Sequence, residues 1–243
     1  PLLRRNLPRH PALRGACGLA VGSDYLTAFA ASALLALATK NFCRSYCNGF
    51  GFDAIFRASL YIGLLPLVAT AAAPLLVLLP LAVMLFRRTL REVTVAVAGL
   101  LLPVLTLCYV NWGAGGGFLA PVAELGSAFV AGMPLSLFLS TPVQSLVLLG
   151  AVFILDLMAL LFFLSDIHAL GTKPRLIFIF NISVLLLTAA VLCGPAATPG
   201  TVALAAVPSA VLLPFMFVRI HRAIALPLYL LLLAAAVIST VLQ

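Results

Sequence analysis

Long runs without a charged residue restrict the fold of this chain more than any other feature. No charge occurs between Arg57 and Arg87, and the stretches 93–112 and 143–155 are also uncharged. Hydrophobic residues form 64% of the 243-residue chain and charged residues 8%, whereas a soluble domain is about half apolar and about a quarter charged. So much apolar surface cannot be buried in one core of this size, so we predict that the chain lies in lipid.

The uncharged runs predict an all-α fold, a polytopic transmembrane helical bundle with about 7–8 membrane segments. We divide the chain into a basic N-terminal loop, 1–24, and a single transmembrane helical domain, 25–243. Two segments within that domain, 58–86 and 118–140, are irregular and are treated separately below. The regular predicted spans are Tyr25–Thr39, Val93–Trp112, Val143–Leu164, Arg175–Cys193, Thr201–Val218 and Ala223–Leu242.

The two irregular segments predict structures other than a plain crossing. The segment 58–86 is too long for one plain span, and Pro66 and Pro74 flank a run of small residues in it. We expect a short hairpin with both ends on one side, with a single kinked helix as the alternative. The segment 118–140 is apolar but interrupted by glycine and proline, which predicts a helix at the membrane interface or a re-entrant loop.

Basic residues cluster in alternate connectors and predict the orientation of the chain. The positive-inside rule places these connectors in the cytoplasm, where the side chains contact anionic lipid headgroups or a partner protein. The formal charge of +8 is therefore assigned to the membrane surface, and we expect no binding of nucleic acid. The residues concerned are Arg57, Arg87, Arg88, Arg91, Lys173, Arg175, Arg219 and Arg222.

The cysteines do not form a metal-site pattern. Cys43 and Cys47 are four residues apart and would share one face of a helix, but no second Cys or His pair follows at the spacing of a zinc site. We therefore predict no metal and no cofactor.

Asp156 is the one acidic residue in the apolar run 151-AVFILDLMALLFFL-164. It lies nine residues before Ser165, which places it about 13 Å along the helix and close to the bilayer centre. An ionised carboxylate there costs about 2.5–3.5 kcal/mol on insertion scales, so it must face protein or water, or carry a proton. Asn181 of the next span lies at a similar depth, and we expect the two to form an intramembrane polar pair. The alternatives are a structural hydrogen bond, a proton-coupling or substrate-binding carboxylate, and contact with a partner protein.

Glu124 is the only acidic residue in the connector that follows GAGGG. On the predicted topology it lies outside the cell. It could act as a general acid or base in an enzyme at the membrane surface, or simply lie on the solvated face of an interfacial helix.

A resemblance to a known family comes from the run 53-DAIFRASLYIGLLPLVATAAAPLLVLLPLAVMLFRRTLREVTVAVAGLLLPVLTLCYVNW-112. The aspartate–alanine helix, the proline-marked second helix, the basic turn with Arg-Glu and the Gly-Leu-Leu-x-Pro helix resemble uncharacterised polytopic inner-membrane proteins of Bacteroidota. The later KPRLIFIFNISVLLL and AVPSAVLLPFMFVRIHR are also similar to that family. The resemblance implies a multi-pass inner-membrane protein and brings no activity with it.

A more distant likeness links the hairpin, with Gly-Leu between two basic ends, to GT-C glycosyltransferases, which use lipid-linked sugars. The catalytic acid of that class lies in an early external loop, where this chain has only Asp24. We expect a non-catalytic inner-membrane subunit or scaffold of a cell-envelope complex. An enzyme or accessory acting on lipid-linked glycans and a transporter with Asp156 in its pathway are the alternatives.

Overall fold

The computed structural model describes residues 23–47, 51–130, 135–141, 143–167 and 171–219, with the single positions Pro227 and Leu230. Every element in this part of the chain is helical, as predicted. Arg222, most of the loop 1–24 and nearly all of the predicted span Ala223–Leu242 lie outside the described residues. The α-helices are α1 (Ser23–Cys47), α2 (Phe52–Val68), α3 (Leu78–Leu85), α4 (Leu90–Gly113), α5 (Ala120–Val130), α6 (Ser136–Ser140), α7 (Val143–Asp166), α8 (Thr172–Cys193) and α9 (Ala206–Arg219). Two 3-10 segments, Thr70–Val77 and Pro199–Ala205, lead directly into α3 and α9.

Four of the described helices are long and apolar enough to cross a membrane. They are Leu26–Cys47 of α1, all of α4, Leu146–Asp166 of α7 and all of α8. The shorter apolar segments Thr70–Leu85 and Pro199–Pro214 each join a 3-10 segment to an α-helix. A helix satisfies its own backbone hydrogen bonds, which is why such apolar runs become helical in lipid. The count of seven or eight membrane segments stays a prediction.

The segment 58–86 folds back on itself, as the hairpin prediction requires. α2 ends at Val68, Ala69 is extended with φ −135° and ψ 105°, and the first 3-10 segment begins at Thr70. After α3, Phe86 stacks on Tyr46 with 4.7 Å between ring centroids. Since α2 begins only five residues after Cys47, both ends of the hairpin lie beside the C-terminal end of α1. A single kinked helix would place them far apart.

The described helix ends divide into a basic end and a neutral end. The basic end comprises the last turns of α1 and α3 and the first turns of α2, α4 and α8. The basic side chains in this region are Arg44, Arg57, Arg87, Arg88, Arg91, Lys173 and Arg175, and Lys40 lies about two turns before the end of α1. The neutral end contains the connectors after α2, α4 and α8. At this end Thr27, Ala69 and Thr201 line a shared cavity. The first helix runs to Cys47, beyond the predicted end at Thr39, and includes Lys40 and Arg44.

The main core is formed by α1, the hairpin and one face of α8, with Phe180 at its centre. Phe180 contacts Phe42 of α1 and Phe86 after α3, at centroid distances of 5.7 and 5.3 Å. Two glycines bring α2 and α4 into backbone contact: a Cβ on Gly63 would lie 2.5 Å from the Leu100 carbonyl oxygen, and one on Gly99 would lie 2.7 Å from that of Phe56. Small residues allow this close approach. In a membrane the stability of such a contact comes from packing, because the lipid tails are as apolar as the side chains and give no hydrophobic driving force between helices.

A second core holds α7, α8 and α9 together near the basic end. Phe163 of α7 stacks on Phe178 of α8 with 4.1 Å between ring centroids. Leu212 and Met216 of α9 are fully buried in the same cluster. Beyond this stack, α7 packs mainly against α9 rather than against its sequence neighbour α8.

We expected the segment 118–140 to form a helix at the membrane interface or a re-entrant loop, and its position relative to the membrane stays a prediction. The segment contains α5 and α6 as separate elements, with 131–134 outside the described residues. α6 packs on the neutral end of α8, where Leu135 N donates to the Cys193 carbonyl oxygen at 3.3 Å and Leu137 is fully buried. α6 begins after Leu135, whose φ of 63° lies in the left-handed region and not in the α-helical one.

Candidate functional site

Asp156 lies on the buried face of α7, midway along the helix. The run around it has no proline between Val143 and Asp166, so α7 continues past the carboxylate without a kink. Its side chain is 1% exposed, whereas the neighbouring Leu157 and Met158 face outward. The helix therefore directs Asp156 into the protein, on the same side as the buried Ala159 and Phe163.

The partner of Asp156 is Ser209 of α9. Ser209 Oγ lies 2.5 Å from Asp156 Oδ2 and 2.9 Å from the carbonyl oxygen of Ala205. A serine hydroxyl has only one hydrogen to donate. Both contacts can be hydrogen bonds at the same time if Asp156 is protonated. The carboxyl proton is then donated to Ser209 Oγ, and the Ser209 hydroxyl hydrogen is donated to the Ala205 carbonyl oxygen.

The second carboxyl oxygen, Asp156 Oδ1, is buried and has no hydrogen-bond partner within the described chain. Leaving a buried acceptor unsatisfied costs about 1–3 kcal/mol. Nearly all buried polar groups in folded proteins have a partner, so an exception calls for a specific explanation. Here Oδ1 is available to a donor that comes from elsewhere.

A cavity of about 390 Å³ adjoins Asp156 and lies between α7, α8 and α9. Its wall is almost wholly apolar, and the polar side chains that line it are Asp156, Thr188 and Ser209, with the Cys193 thiol at its neutral end. Gly150, Phe153 and Cys193 are exposed members of the wall, so the cavity is open beside α7. Thr188 donates its hydroxyl to the backbone oxygen of Val184, which leaves Asp156 Oδ1 as the free acceptor of this cavity.

The expected pair between Asp156 and Asn181 is not formed. Asn181 Nδ2 donates to the Ile177 carbonyl oxygen at 2.8 Å, and its side chain also hydrogen-bonds the Cys43 thiol of α1. The two residues line different cavities. Asn181 and Asp156 were expected at a similar depth, but α7 packs mainly against α9 and not against α8, so α9 provides the partner instead.

The sequence contained a signal for Ser209 that the prediction did not use. Asp156 lies ten residues before Asp166 and Ser209 lies ten residues before Arg219, and each of these charged residues is the first to follow its apolar run. When Asp166 and Arg219 mark the same membrane face, equal residue counts place Asp156 and Ser209 at one depth. The choice between Asn181 and Ser209 depends on which helices are neighbours, and this depends on tertiary packing.

Arg88 differs from the other residues predicted to contact lipid, because its guanidinium is used inside the protein. It donates to Glu92 Oε1 at 3.2 Å and to Ser45 Oγ at 2.5 Å, and it lies 5.5 Å from the Phe86 ring centroid. The Arg88 and Glu92 side chains are only 9% and 11% exposed. Glu92 also accepts from Thr89 N and so caps α4. The predicted headgroup contact for Arg88 is therefore replaced by a junction of α1, α3 and α4.

The remaining predicted contact residues are distributed over the basic end. Arg57 is exposed and pairs with Asp53 at 2.9 Å. Arg87 is exposed in the turn after α3, with φ 48°. The exposed residues Arg91, Lys173 and Arg175 lie at the starts of α4 and α8. Arg219 ends α9 with a side chain outside the described set, and Arg222 lies outside the described residues altogether.

Glu124 is exposed on α5, away from the Asp156 cavity, which is formed by α6 to α9. The structure therefore does not combine Glu124 and Asp156 in one site. In the described ranges, no group of three His, Cys, Asp or Glu side chains is close enough to hold a metal ion. Cys43, Cys47, Cys108 and Cys193 are free thiols.

Comparison with known proteins identifies no relative for this arrangement: no family model, no curated protein and no solved structure matches the chain. What the Asp156 site can do is therefore derived from its own residues. It offers an apolar space, one free carboxyl oxygen and an opening beside α7, an arrangement suited to binding a group that carries a hydrogen-bond donor.

Proposed function

We propose that this chain is a non-catalytic, multi-pass protein of the bacterial inner membrane, acting as a subunit or scaffold of a cell-envelope complex. On this proposal its basic end faces the cytoplasm, since connectors rich in Lys and Arg are retained there. The partner is a transmembrane helix that docks beside α7 and brings a hydrogen-bond donor to Asp156.

The observation that supports this proposal is the unpartnered Asp156 Oδ1 at the wall of an open, apolar cavity. In lipid the gain from association comes from close packing and from interhelical hydrogen bonds, worth about 0.6 kcal/mol on average. A partner helix with Ser, Thr, Asn or a similar donor would fill the space along α7 and satisfy the orphan oxygen. Catalysis, by contrast, would need a second acidic or basic group positioned near the first.

Site-specific photocrosslinking in native membranes tests this proposal. A photoreactive phenylalanine analogue replaces Phe153, which lines the cavity and is 46% exposed, or Leu101 of α4, which is 48% exposed and lies away from it. We expect a discrete, stoichiometric protein adduct from position 153 that disappears in the Asp156→Leu background. Position 101 should give no such adduct. Equal labelling patterns at the two positions, or an adduct at 153 that ignores Asp156→Leu, would overturn the docking proposal.

A transporter with Asp156 in its pathway is the second candidate, and the same cavity favours it. An acidic residue within a span is by default a candidate for a substrate or proton pathway. The two apolar segments broken by 3-10 turns, Thr70–Leu85 and Pro199–Pro214, also resemble the discontinuous helices of many transporters.

Water access separates the two candidates. In a chain with its native cysteines replaced, a Gly150→Cys variant places a thiol in the cavity wall. A membrane-impermeant thiol reagent should leave this cysteine unmodified if the cavity receives a partner helix. Rapid modification from one side of the membrane would support the transporter instead. An enzyme or accessory acting on lipid-linked glycans stays a third proposal, supported by the basic side chains at one end and by the distant GT-C likeness.

A further inference from the structure

A second groove lies between α1 and α9, with α8 as its floor, and it has a volume of about 550 Å³. Its α1 wall repeats at helical spacing, from Phe29 through Ser32, Ala36 and Lys40 to Cys43. The α9 wall is formed by Ala206, Val207, Ala210 and Val211. The described lining of the groove is therefore mainly apolar, and Lys40 is its one charged side chain.

Lys40 marks the point where the groove meets the membrane surface. The run Leu26–Thr39 contains no charge, so Lys40 is the first basic residue reached along α1 from the neutral end, where Asp24 lies in the first turn of the helix. A lysine at this position extends its flexible stem and places its ammonium group toward the headgroups. The ammonium group therefore lies at the mouth of the groove, on the side of the basic end.

Lys40 has no acidic partner among the described residues that line the groove. The ion pairs in the described part of the chain, Arg57–Asp53 and Arg88–Glu92, involve other side chains. The sequence contains no acidic residue between Asp166 and Gln243, so α8 and α9, which form the other walls of the groove, supply no carboxylate side chain. Asn181 is already bonded to Ile177 and Cys43. The groove thus presents a cation at its mouth with an apolar channel behind it.

The length of the channel matches one leaflet. Phe29 and Lys40 are eleven residues apart on α1, which corresponds to about 16 Å along the helix. The hydrocarbon core of a bilayer is about 30 Å thick, so one leaflet accounts for about half of that. An acyl chain anchored at the headgroup level beside Lys40 would therefore end near Phe29.

We propose that this groove is a binding site for an anionic phospholipid of the leaflet at the basic end. The lipid phosphate pairs with the Lys40 ammonium group, and one acyl chain lies along α1 between α1 and α9. This site is separate from the Asp156 cavity and does not depend on the function proposed above.

Native mass spectrometry of the full chain in mild detergent, titrated with phosphatidylglycerol, tests the proposal. We expect one lipid to be retained more tightly than the rest. Lys40→Gln should weaken its retention about fivefold, because a basic residue at the membrane surface contributes on the order of 1 kcal/mol toward anionic lipid. Lys40→Arg should retain it. Ala36→Phe, which fills the channel from an exposed position on α1, should also reduce retention.

The matched control is Lys173→Gln, since Lys173 is an exposed basic residue of the same end that does not line the groove. It should leave the tightly held lipid in place. Thermal unfolding of each variant shows whether the fold is retained, and Ala36→Phe and Lys40→Gln provide independent tests if one of them fails to fold. Equal retention in wild type and Lys40→Gln would overturn the proposal. Loss in Lys40→Gln with full retention in Ala36→Phe would overturn the channel, as would a copurifying protein crosslinked at Ala36.

Discussion

Ser209 Oγ of α9 lies 2.5 Å from Asp156 Oδ2 of α7 and joins two helices that are not consecutive in the chain. Ser209→Ala should therefore lower the free energy of unfolding by about 0.6 kcal/mol, the average for an interhelical hydrogen bond in a membrane protein, and at most by about 1.7 kcal/mol. A double-mutant cycle with Asp156→Ala, measured by reversible unfolding in detergent micelles, checks this. A coupling energy near zero would mean that the short contact contributes nothing to stability.

Asp156→Leu should leave the free energy of unfolding unchanged or raise it slightly, although it removes a buried carboxyl group and its hydrogen bond. The change abolishes the Ser209 bond but also removes the unsatisfied Oδ1, and replacing buried ionisable groups by apolar ones of similar size is often neutral or stabilising. Leucine also enters a wall that is already apolar. The midpoint of thermal unfolding, compared with that of Asp156→Asn, measures the effect. A large loss of stability in both variants would assign Asp156 a structural role and weaken the docking proposal.

Gly63→Ala should destabilise the contact between α2 and α4 strongly. The new Cβ would lie 2.5 Å from the Leu100 carbonyl oxygen, and since that oxygen belongs to the backbone, one helix has to move. Overpacking of this kind costs about 1–3 kcal/mol. Gly126→Ala in α5 is the control, because nothing lies within 4 Å of its added Cβ. Chemical denaturation of the two variants in parallel should show a loss only for Gly63→Ala.

Arg88→Met should be far more damaging than Arg91→Met, although the two arginines are three residues apart. Arg88 is largely buried with Glu92 and also donates to Ser45, whereas Arg91 is exposed. Removing one member of a buried ion pair leaves the other charge unpaired and costs about 3–5 kcal/mol. Expression level and unfolding midpoint should fall for Arg88→Met alone. Similar behaviour of the two variants would show that Arg88 also acts at the surface.

The helical class and the hairpin could be predicted from the sequence because both depend on local patterns. The distance between Arg57 and Arg87 is too long for one plain span, and the small residues between Pro66 and Pro74 mark the place where a helix can end. The chain reverses at Ala69, within that interval. The positions of charged residues and prolines are read directly from the sequence, so these two predictions need no knowledge of how the helices pack.

The partner of Asp156 could not be predicted from the same information. Depth in the membrane follows from counting residues, which led to Asn181 and is equally compatible with Ser209. Which of them meets the carboxyl depends on the packing of α7, which lies mainly against α9 and not against α8. The internal role of Arg88 was missed for a related reason, since Ser45 lies 43 residues earlier in the chain and becomes its neighbour only through folding.

The separation of Asp156 and Ser209 also has a consequence for biosynthesis. Ser209 follows Asp156 by 53 residues, and at a synthesis rate of about 5–20 residues per second it is made about 3–10 s later. α7 can enter the bilayer without it: fourteen Leu, Ile, Phe and Val residues between Leu146 and Leu164 favour insertion by about 4–8 kcal/mol, against about 2.5–3.5 kcal/mol for the carboxyl. We therefore expect the hydrogen bond between Asp156 and Ser209 to form after α7 has inserted, once α9 has been synthesised.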